Sequence, residues 1–205
     1  MEPLSTVYYL GLMAQIYPEA KFICLYRHGM DVIASYLAAM PWGLSPAATP
    51  QPEFLPMHGH VAGNPGNSVA AVAGYWLDCV QRAAEFESMH PGRCHRVRYE
   101  DLVADPEAVT AGMLAFLGVS QQPGITGTCF RAAHDPGPSD FKIWHTSGIR
   151  QDAVGSGVVV PAARLPAPAR AGVNEMLSAL GYRIVDDYWN AARHRQDPRQ
   201  SAPAA

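Results

Sequence analysis

The chain of 205 residues is 48% hydrophobic, which is enough to bury the core of one domain. Its formal net charge of −3 argues against the broad basic surface that binding to nucleic acid or to an anionic membrane requires. No apolar run reaches the roughly 18 to 20 residues of a membrane span. We therefore predict a cytoplasmic protein with neither a nucleic-acid partner nor a membrane partner.

The four cysteines, at positions 24, 79, 94 and 129, form no C-x-x-C pair. Two of them lie in strongly apolar segments, and no signal peptide is visible, which is typical of a protein in a reducing compartment. We expect these cysteines to be small core residues rather than disulfides, redox centres or metal ligands.

The first part of the chain predicts a helix, a strand, a loop and a second helix. Apolar residues recur at helical spacing over 5–17, and a break follows at Pro18. The short apolar run 21–26 predicts a strand buried on both faces of a parallel sheet, and helical spacing resumes over 31–40. The stretch 42–66 is rich in proline and glycine and shows no period, so we predict a long loop or lid there.

The α/β alternation continues through the second part of the chain. The predicted elements are a helix over 67–90, a strand over 94–99, a helix from Asp105-Pro106 to Leu117-Gly118, a helix near 125–133, an irregular stretch over 134–168, a last helix ending at Leu180-Gly181 and a disordered tail over 195–205. Only two strands are predicted, whereas a sheet of this class usually has about five. We therefore expect the sheet to be incomplete.

Arg27 follows the first predicted strand, where open α/β sheets bind their ligands. Eight residues later, Ser35 lies about one turn inside the next helix, so that its hydroxyl and the arginine fork could clamp one phosphate. The alternative is structural: Arg27 pairs with Asp31, and Ser35 packs in a helix crossing.

Three segments in order resemble sulfotransferases that use 3′-phosphoadenosine-5′-phosphosulfate (PAPS). Tyr17–Tyr36 (YPEAKFICLYRHGMDVIASY) resembles their 3′-phosphate motif, and Arg96–Pro106 (RVRYEDLVADP) resembles their tyrosine-glutamate-aspartate segment. His134–Pro161 resembles the C-terminal loop of bacterial members. The resemblance implies a helix-rich α/β fold, a P-loop-like three-layer sandwich with a parallel sheet that is incomplete at the N-terminus, as a single domain over 1–194.

The resemblance also implies an activity and a site. PAPS would donate a sulfuryl group to a hydroxyl or amine of a small-molecule acceptor, with the stretch 42–66 recognising that acceptor. The implied donor contacts are Arg27 and Ser35 on the 3′-phosphate, Tyr99 beside the adenine, the turn Gly155, Ser156 and Gly157 over the phosphate, and Lys142 on sulfate or phosphate. No catalytic residue is assigned, and the acceptor and the oligomeric state stay open.

Two departures from the family pattern support an alternative function. The turn has no basic or aromatic residue between or just after its glycines, and no G-x-x-x-x-G-K-[ST] or looser phosphate loop precedes a helix. We interpret Met1 as the mark of a truncated gene or a start site placed too late. The alternative is a noncatalytic remnant that at most binds adenosine 3′,5′-bisphosphate or a protein partner.

Two further groups of residues could form a site. His58 and His60 could hold a metal with a carboxylate such as Glu53, but a third ligand of diagnostic spacing is lacking, so we predict no metal. The aromatic residues of the helix over 67–90 are expected in the core. They are Tyr75, Trp76 and Phe86.

Overall fold

The computed structural model describes residues 6–39, 55–121, 124–129, 148–149 and 151–192. The chain divides into two compact units, each assembled from two separate segments. The first unit comprises Met1–Arg27 and Gln81–Ala153, and the second comprises His28–Val80 and Val154–Ala205. The assignment of 1–194 to a single domain stays a prediction.

The described part of the chain is a helix-rich α/β structure with a parallel sheet, which confirms the predicted fold class. In chain order its elements are α1 (Leu10–Ile16), β1 (Phe22–Tyr26), α2 (Gly29–Ala39), α3 (Leu55–Gly63), α4 (Ser68–Met89), β2 (Cys94–Arg98), α5 (Tyr99–Ala104), α6 (Pro106–Leu117), α7 (Ile125–Cys129) and α8 (Ala167–Ala179). Short 3-10 turns lie at Val7–Tyr9, Gln151–Ala153, Ser156–Val159, Ala162–Arg164 and Asn190–Ala192.

The two predicted strands pair in parallel, with Phe22 opposite Cys94 and Tyr26 opposite Arg98. The prediction that β1 is buried on both faces is wrong. Cys24 and Tyr26 are buried, whereas Ile23 and Leu25 are 40% and 56% exposed. Successive side chains of a strand point to opposite faces, so an unbroken apolar run does not show that both faces are covered.

Helix α6 of the first unit begins and ends where the sequence predicted. The Asp105 carboxylate accepts a hydrogen bond of 3.0 Å from the Ala108 amide, and Pro106 occupies the first turn, where its missing N–H has no helical partner to lose. Gly118 closes the helix with a φ of 78°, a left-handed conformation that glycine adopts without strain.

The predicted loop over 42–66 contains a helix, so this prediction is wrong for residues 55–63. Pro56 falls in the first turn of α3, where proline is tolerated, and Met57 is buried. His60 Nε2 lies 3.9 Å from Asp78 Oδ2 of α4. Proline and glycine therefore mark the helix ends here rather than an irregular segment, and residues 42–54 lie outside the described residues.

Other predicted boundaries lie within a few residues of those observed. The strand predicted over 94–99 ends at Arg98, because Tyr99 is the first residue of α5. The helix predicted over 31–40 begins at Gly29, and α7 is described only as far as Cys129. The predicted tail over 195–205 is outside the described part of the chain.

The second unit has a core built from helices α2 and α8 and the chain that follows α8. Ile33 of α2, and Val173 and Leu177 of α8, are fully buried, the last two because residues four apart share one helix face. Of the side chains predicted for the core, Tyr75 and Trp76 are buried in this unit, and Phe86 is buried in the first unit. Among the described residues, no helix has both the length and the apolar character to cross a membrane.

Candidate functional site

Arg27 and Tyr99 meet where the two strands end. Because Tyr26 lies opposite Arg98 in a parallel pair, the next residue of each chain segment leaves the same edge of the sheet. The Arg27 guanidinium carbon lies 4.6 Å from the centre of the Tyr99 ring. Arg27 Nη2 also donates a hydrogen bond of 2.6 Å to the carbonyl of Ala153. The guanidinium is thus oriented by an aromatic face and a backbone oxygen.

The sequence analysis predicted both residues as donor contacts but did not predict their contact with each other. The structure describes Tyr99 against Arg27, and its position beside an adenine stays a prediction. Each residue directly follows a predicted strand, which was the available signal. The strand register that brings them together depends on pairing between residues 72 positions apart, and neither strand's sequence shows it.

Asp31, near the start of α2, holds the glycine turn that the sequence predicted to cover a phosphate. Its side chain is buried, and its two carboxylate oxygens accept hydrogen bonds from the amides of Gly155 (2.8 Å) and Gly157 (2.6 Å). The role of Asp31 was missed by the sequence analysis. Both amides donate within the chain, and the predicted position of this turn over a phosphate stays a prediction.

The two glycines of this turn are required for different reasons. Gly155 has a φ of 76°, in the left-handed region that costs other residues strain. A Cβ on Gly157 would lie 2.4 Å from the carbonyl carbon of Met30, so only glycine fits this approach to α2. The Gly155-Ser156-Gly157 sequence is therefore explained by the way the turn packs on α2, with Ser156 between the two contacts.

His28 belongs to the same network in the second unit. The Met30 amide donates to Nδ1 (3.2 Å), and Nε2 lies 2.9 Å from the Arg183 carbonyl. An imidazole ring whose Nδ1 accepts a hydrogen bond and whose Nε2 donates one is in its neutral form. The His28 ring stacks on the Trp189 ring, with 5.1 Å between the ring centres. The Trp189 indole N–H donates a hydrogen bond of 3.1 Å to the Gly157 carbonyl. His28 therefore braces the turn, a role the sequence did not reveal.

The remaining predicted site residues are less constrained by the structure. Ser35 lies four residues after Asp31 on the same face of α2 and is half-buried. Lys142 lies outside the described residues, so its predicted contact is not described. The described residues include no group of three histidine, cysteine, aspartate or glutamate side chains placed to hold a metal, and His60 is near Asp78.

The cysteines are free thiols, and Cys24 is buried in the sheet. Cys79 and Cys94 are half-buried and Cys129 is exposed, so the prediction that the cysteines are core residues is wrong for Cys129. Burial, and secondarily the neighbouring Glu87 carboxylate, raise the pKa of the Cys24 thiol to about 12. Because the thiolate is the nucleophilic form, Cys24 is poorly suited to covalent catalysis at neutral pH. This is consistent with a packing role for this residue.

Comparison with known proteins identifies the class to which this chain belongs. Residues 3–123 match the Sulfotransferase family, and the chain is therefore a member of that family. The matched segment contains β1, β2, Arg27, Asp31 and Tyr99. No curated protein matches the chain.

Two solved structures have a similar fold. One is the sulfotransferase domain from the curacin biosynthetic pathway, with a TM-score of 0.64 and 20% identity over 89% of this chain and 60% of that one. The other is the sulfotransferase domain from the Synechococcus PCC 7002 olefin synthase, with a TM-score of 0.66 and 19% identity over 90% of this chain and 57% of that one. This chain thus spans about three fifths of each domain's length.

Proposed function

We propose that this chain takes part in PAPS-dependent sulfuryl transfer to a hydroxyl or amine of a small acceptor, and that it holds the 3′-phosphate of the donor. The observation that carries the proposal is the placement of Arg27 in a member of the Sulfotransferase family. Arg27 lies at the carboxyl end of β1, with its guanidinium against Tyr99 and Ala153. Ligands of open α/β sheets bind at this end of the strands.

The chemistry of this position fits a phosphate. A guanidinium presents paired N–H donors that match two phosphate oxygens, and it keeps its charge at any physiological pH. We propose Ser35 as a second donor to the same phosphate and Lys142 as a further contact. The turn would contribute through Ser156 and through its shape, since the amides of Gly155 and Gly157 donate to Asp31.

PAPS supplies the activated sulfuryl group and leaves as adenosine 3′,5′-bisphosphate. The residues of this chain would fix the far end of the donor, so that the transferring group and the acceptor are held in line. No described residue is assigned as the catalytic base. The segment 42–66, including α3, is proposed to recognise the acceptor.

The proposal is tested by calorimetry with adenosine 3′,5′-bisphosphate and adenosine 5′-monophosphate, which differ in the 3′-phosphate. Arg27→Ala should weaken bisphosphate binding by about 2 kcal/mol or more and monophosphate binding far less. Arg96→Ala is the matched control, because Arg96 lies within β2 and pairs with Glu87, away from the strand end. Equal losses for both nucleotides in Arg27→Ala would remove Arg27 from the site.

A noncatalytic nucleotide-binding role is the second candidate, because the sequence contains no G-x-x-x-x-G-K-[ST] loop. Such a loop would hold the 5′-phosphosulfate and stabilise the leaving phosphate. If this second candidate is right, the 205-residue chain binds the bisphosphate and transfers no labelled sulfuryl group from PAPS to a panel of phenols, alcohols and amines. Turnover by this chain alone would show that it has a phosphosulfate site of its own and would exclude the noncatalytic role.

A further inference from the structure

His28 is a buried titratable residue whose ring bonds to the backbone through both nitrogens. It lies directly before α2 and is 8% exposed. The Met30 amide donates to Nδ1 (3.2 Å), and Nε2 donates to the Arg183 carbonyl (2.9 Å). Met30 is the second residue of α2, so Nδ1 accepts the kind of hydrogen bond that an N-cap oxygen accepts. A ring nitrogen accepts only while it carries no proton, and this cap therefore requires a neutral ring.

Two residues that hold the glycine turn, residues 155–157, depend on the position of His28. Asp31 lies in the first turn of α2, where its amide donates to the His28 carbonyl (3.0 Å) and its carboxylate accepts the two glycine amides of the turn. Trp189 stacks on the His28 ring and donates its indole N–H to the Gly157 carbonyl. A proton on His28 thus acts on both supports of the turn at once.

A positive charge on this ring is opposed by its surroundings. Burial favours the neutral form of a histidine, and the amino-terminal end of a helix, here α2, repels a cation. The Arg183 guanidinium carbon lies 5.2 Å from the centre of the Trp189 ring, which stacks on His28, so a charged His28 would have a second cation close by. Arg27, the preceding residue, is also positively charged. Each of these features raises the free energy of the protonated ring.

The acids near the ring already have partners. Both carboxylate oxygens of Asp31 accept amides of the turn, and Asp186 Oδ1 accepts a hydrogen bond of 3.4 Å from Arg183 Nη2. The Tyr182 ring centre lies 5.5 Å from that of His28, and a tyrosine hydroxyl is uncharged near neutral pH. None of these three side chains therefore offers His28 a negative charge without losing a partner of its own.

The Trp189 face can attract a cation, but such a contact has only modest strength. Protonation would place the new N–H of Nδ1 against the Met30 amide and remove the acceptor of that amide in a buried region. An unsatisfied buried donor is costly, and together with burial and the helix end this loss outweighs the contact with Trp189. The neutral form should persist at pH values where an exposed histidine is protonated.

We infer that His28 makes the glycine turn pH-sensitive: the neutral ring caps α2 and supports the turn, and uptake of a proton below about pH 6.5 releases both. Acid favours the open state because an open turn exposes His28 to water, where it takes up a proton with the ordinary histidine pKa of about 6.5. The stabilisation is complete above this pH and is lost as the pH falls below it. The residues that form this switch lie in the second unit, and the switch operates whichever ligand the chain binds.

Urea denaturation of the unmodified chain and of His28→Asn, at about pH 7.5 and about pH 5.5, measures this effect. The asparagine amide oxygen can cap α2 in place of Nδ1, and asparagine does not titrate. The unfolding equilibrium constant of the unmodified chain, divided by that of His28→Asn, should rise about tenfold from the higher to the lower pH. The other histidines are common to both proteins and cancel in this ratio. A ratio that changes less than about twofold would overturn the inference.

His90 of the first unit is a matched control, because its hydrogen bond survives protonation. Its Nδ1 lies 3.0 Å from the Phe86 carbonyl, which can only accept, so Nδ1 donates and keeps its proton in the charged form. The tenfold rise relative to His28→Asn should therefore also be seen for His90→Asn. Loss of the rise in His90→Asn would show that the pH dependence does not come from His28.

NMR of the unmodified chain keeps the inference testable if His28→Asn folds poorly. In a neutral ring protonated at Nε2 the two nitrogens have well-separated ¹⁵N shifts, and in the charged ring these shifts converge. His28 should keep separated shifts at about pH 6, where an exposed histidine is mostly charged. Where they converge, the Gly155 and Gly157 amide signals should move too, because their bonds to Asp31 are released. Convergence at about pH 6.5 or above, or convergence with unchanged glycine signals, would overturn the inference.

Discussion

Arg27 and Asp31 are four residues apart, yet the structure uses their charges in different ways. Arg27 is the last residue of the first segment of the first unit, and it is half-buried against a ring face and a carbonyl. Asp31 is buried in the second unit, where both carboxylate oxygens accept amide hydrogen bonds. Under the proposed function, one short sequence motif supplies a group for a ligand, Arg27, and a group for the fold, Asp31. Changes at Arg27 should therefore alter binding, and changes at Asp31 should alter stability.

The largest effect on stability is expected at Asp31. Asp31→Ala removes the acceptor of two amides and leaves them without their partner in a buried region, which should lower the free energy of unfolding by about 3 kcal/mol. Urea denaturation followed by circular dichroism measures this loss. Asp31→Asn keeps one acceptor oxygen and should give an intermediate value. A loss under about 1 kcal/mol in Asp31→Ala would mean that the turn does not depend on this carboxylate.

A smaller loss, about 2 kcal/mol, is expected for Gly157→Ala, because the added Cβ would lie 2.4 Å from the Met30 carbonyl carbon and the turn or α2 would have to shift. The same denaturation assay applies. Gly112→Ala in α6 is the matched control, since its Cβ would be 3.8 Å from His95, an ordinary contact. There the substitution should stabilise the helix by about 0.5–1 kcal/mol. If Gly157→Ala and Gly112→Ala had the same free energy of unfolding, the close approach of Gly157 to α2 would not contribute to stability.

The smallest effect is expected at Asp105, which accepts a single amide hydrogen bond at an exposed helix end. Asp105→Ala should cost about 1 kcal/mol, the usual value for an N-cap. The pair of variants Asp105→Ala and Asp31→Ala compares a carboxylate at an exposed helix start with a buried carboxylate that accepts two amide hydrogen bonds. A larger loss at Asp105 than at Asp31 would reverse the comparison.

Local signals predicted much of the fold correctly. Asp105-Pro106 and Gly118 marked both ends of α6, because caps and turn conformations depend on residues only a few positions apart. Strand β1 was recognised from a short apolar run, but its exposure was not, since Ile23 and Leu25 face away from the buried side. Helix α3 was missed because proline and glycine were interpreted as loop formers, although Pro56 fits a first turn.

The sequence suggested residues for the candidate site but not the contacts that these residues make. Arg27 and Tyr99 were recognised by resemblance, and their pairing required the strand register. The bonds from Asp31 to Gly155 and Gly157 join residues 124 and 126 positions apart. Contacts of this kind depend on the tertiary fold, and no local period or cap predicts them. The neutral tautomer of His28 likewise follows only from the two backbone groups that flank its ring.

Because the Trp189 indole N–H donates to the Gly157 carbonyl, hydrogen exchange at this N–H can measure how often the turn opens. The indole lies in a buried position, so its N–H can exchange with deuterated solvent only when the turn separates from it. The exchange rate then gives the free energy of this local opening, which can be smaller than the free energy of unfolding the whole chain. A single indole proton thus reports how often this turn separates from α2.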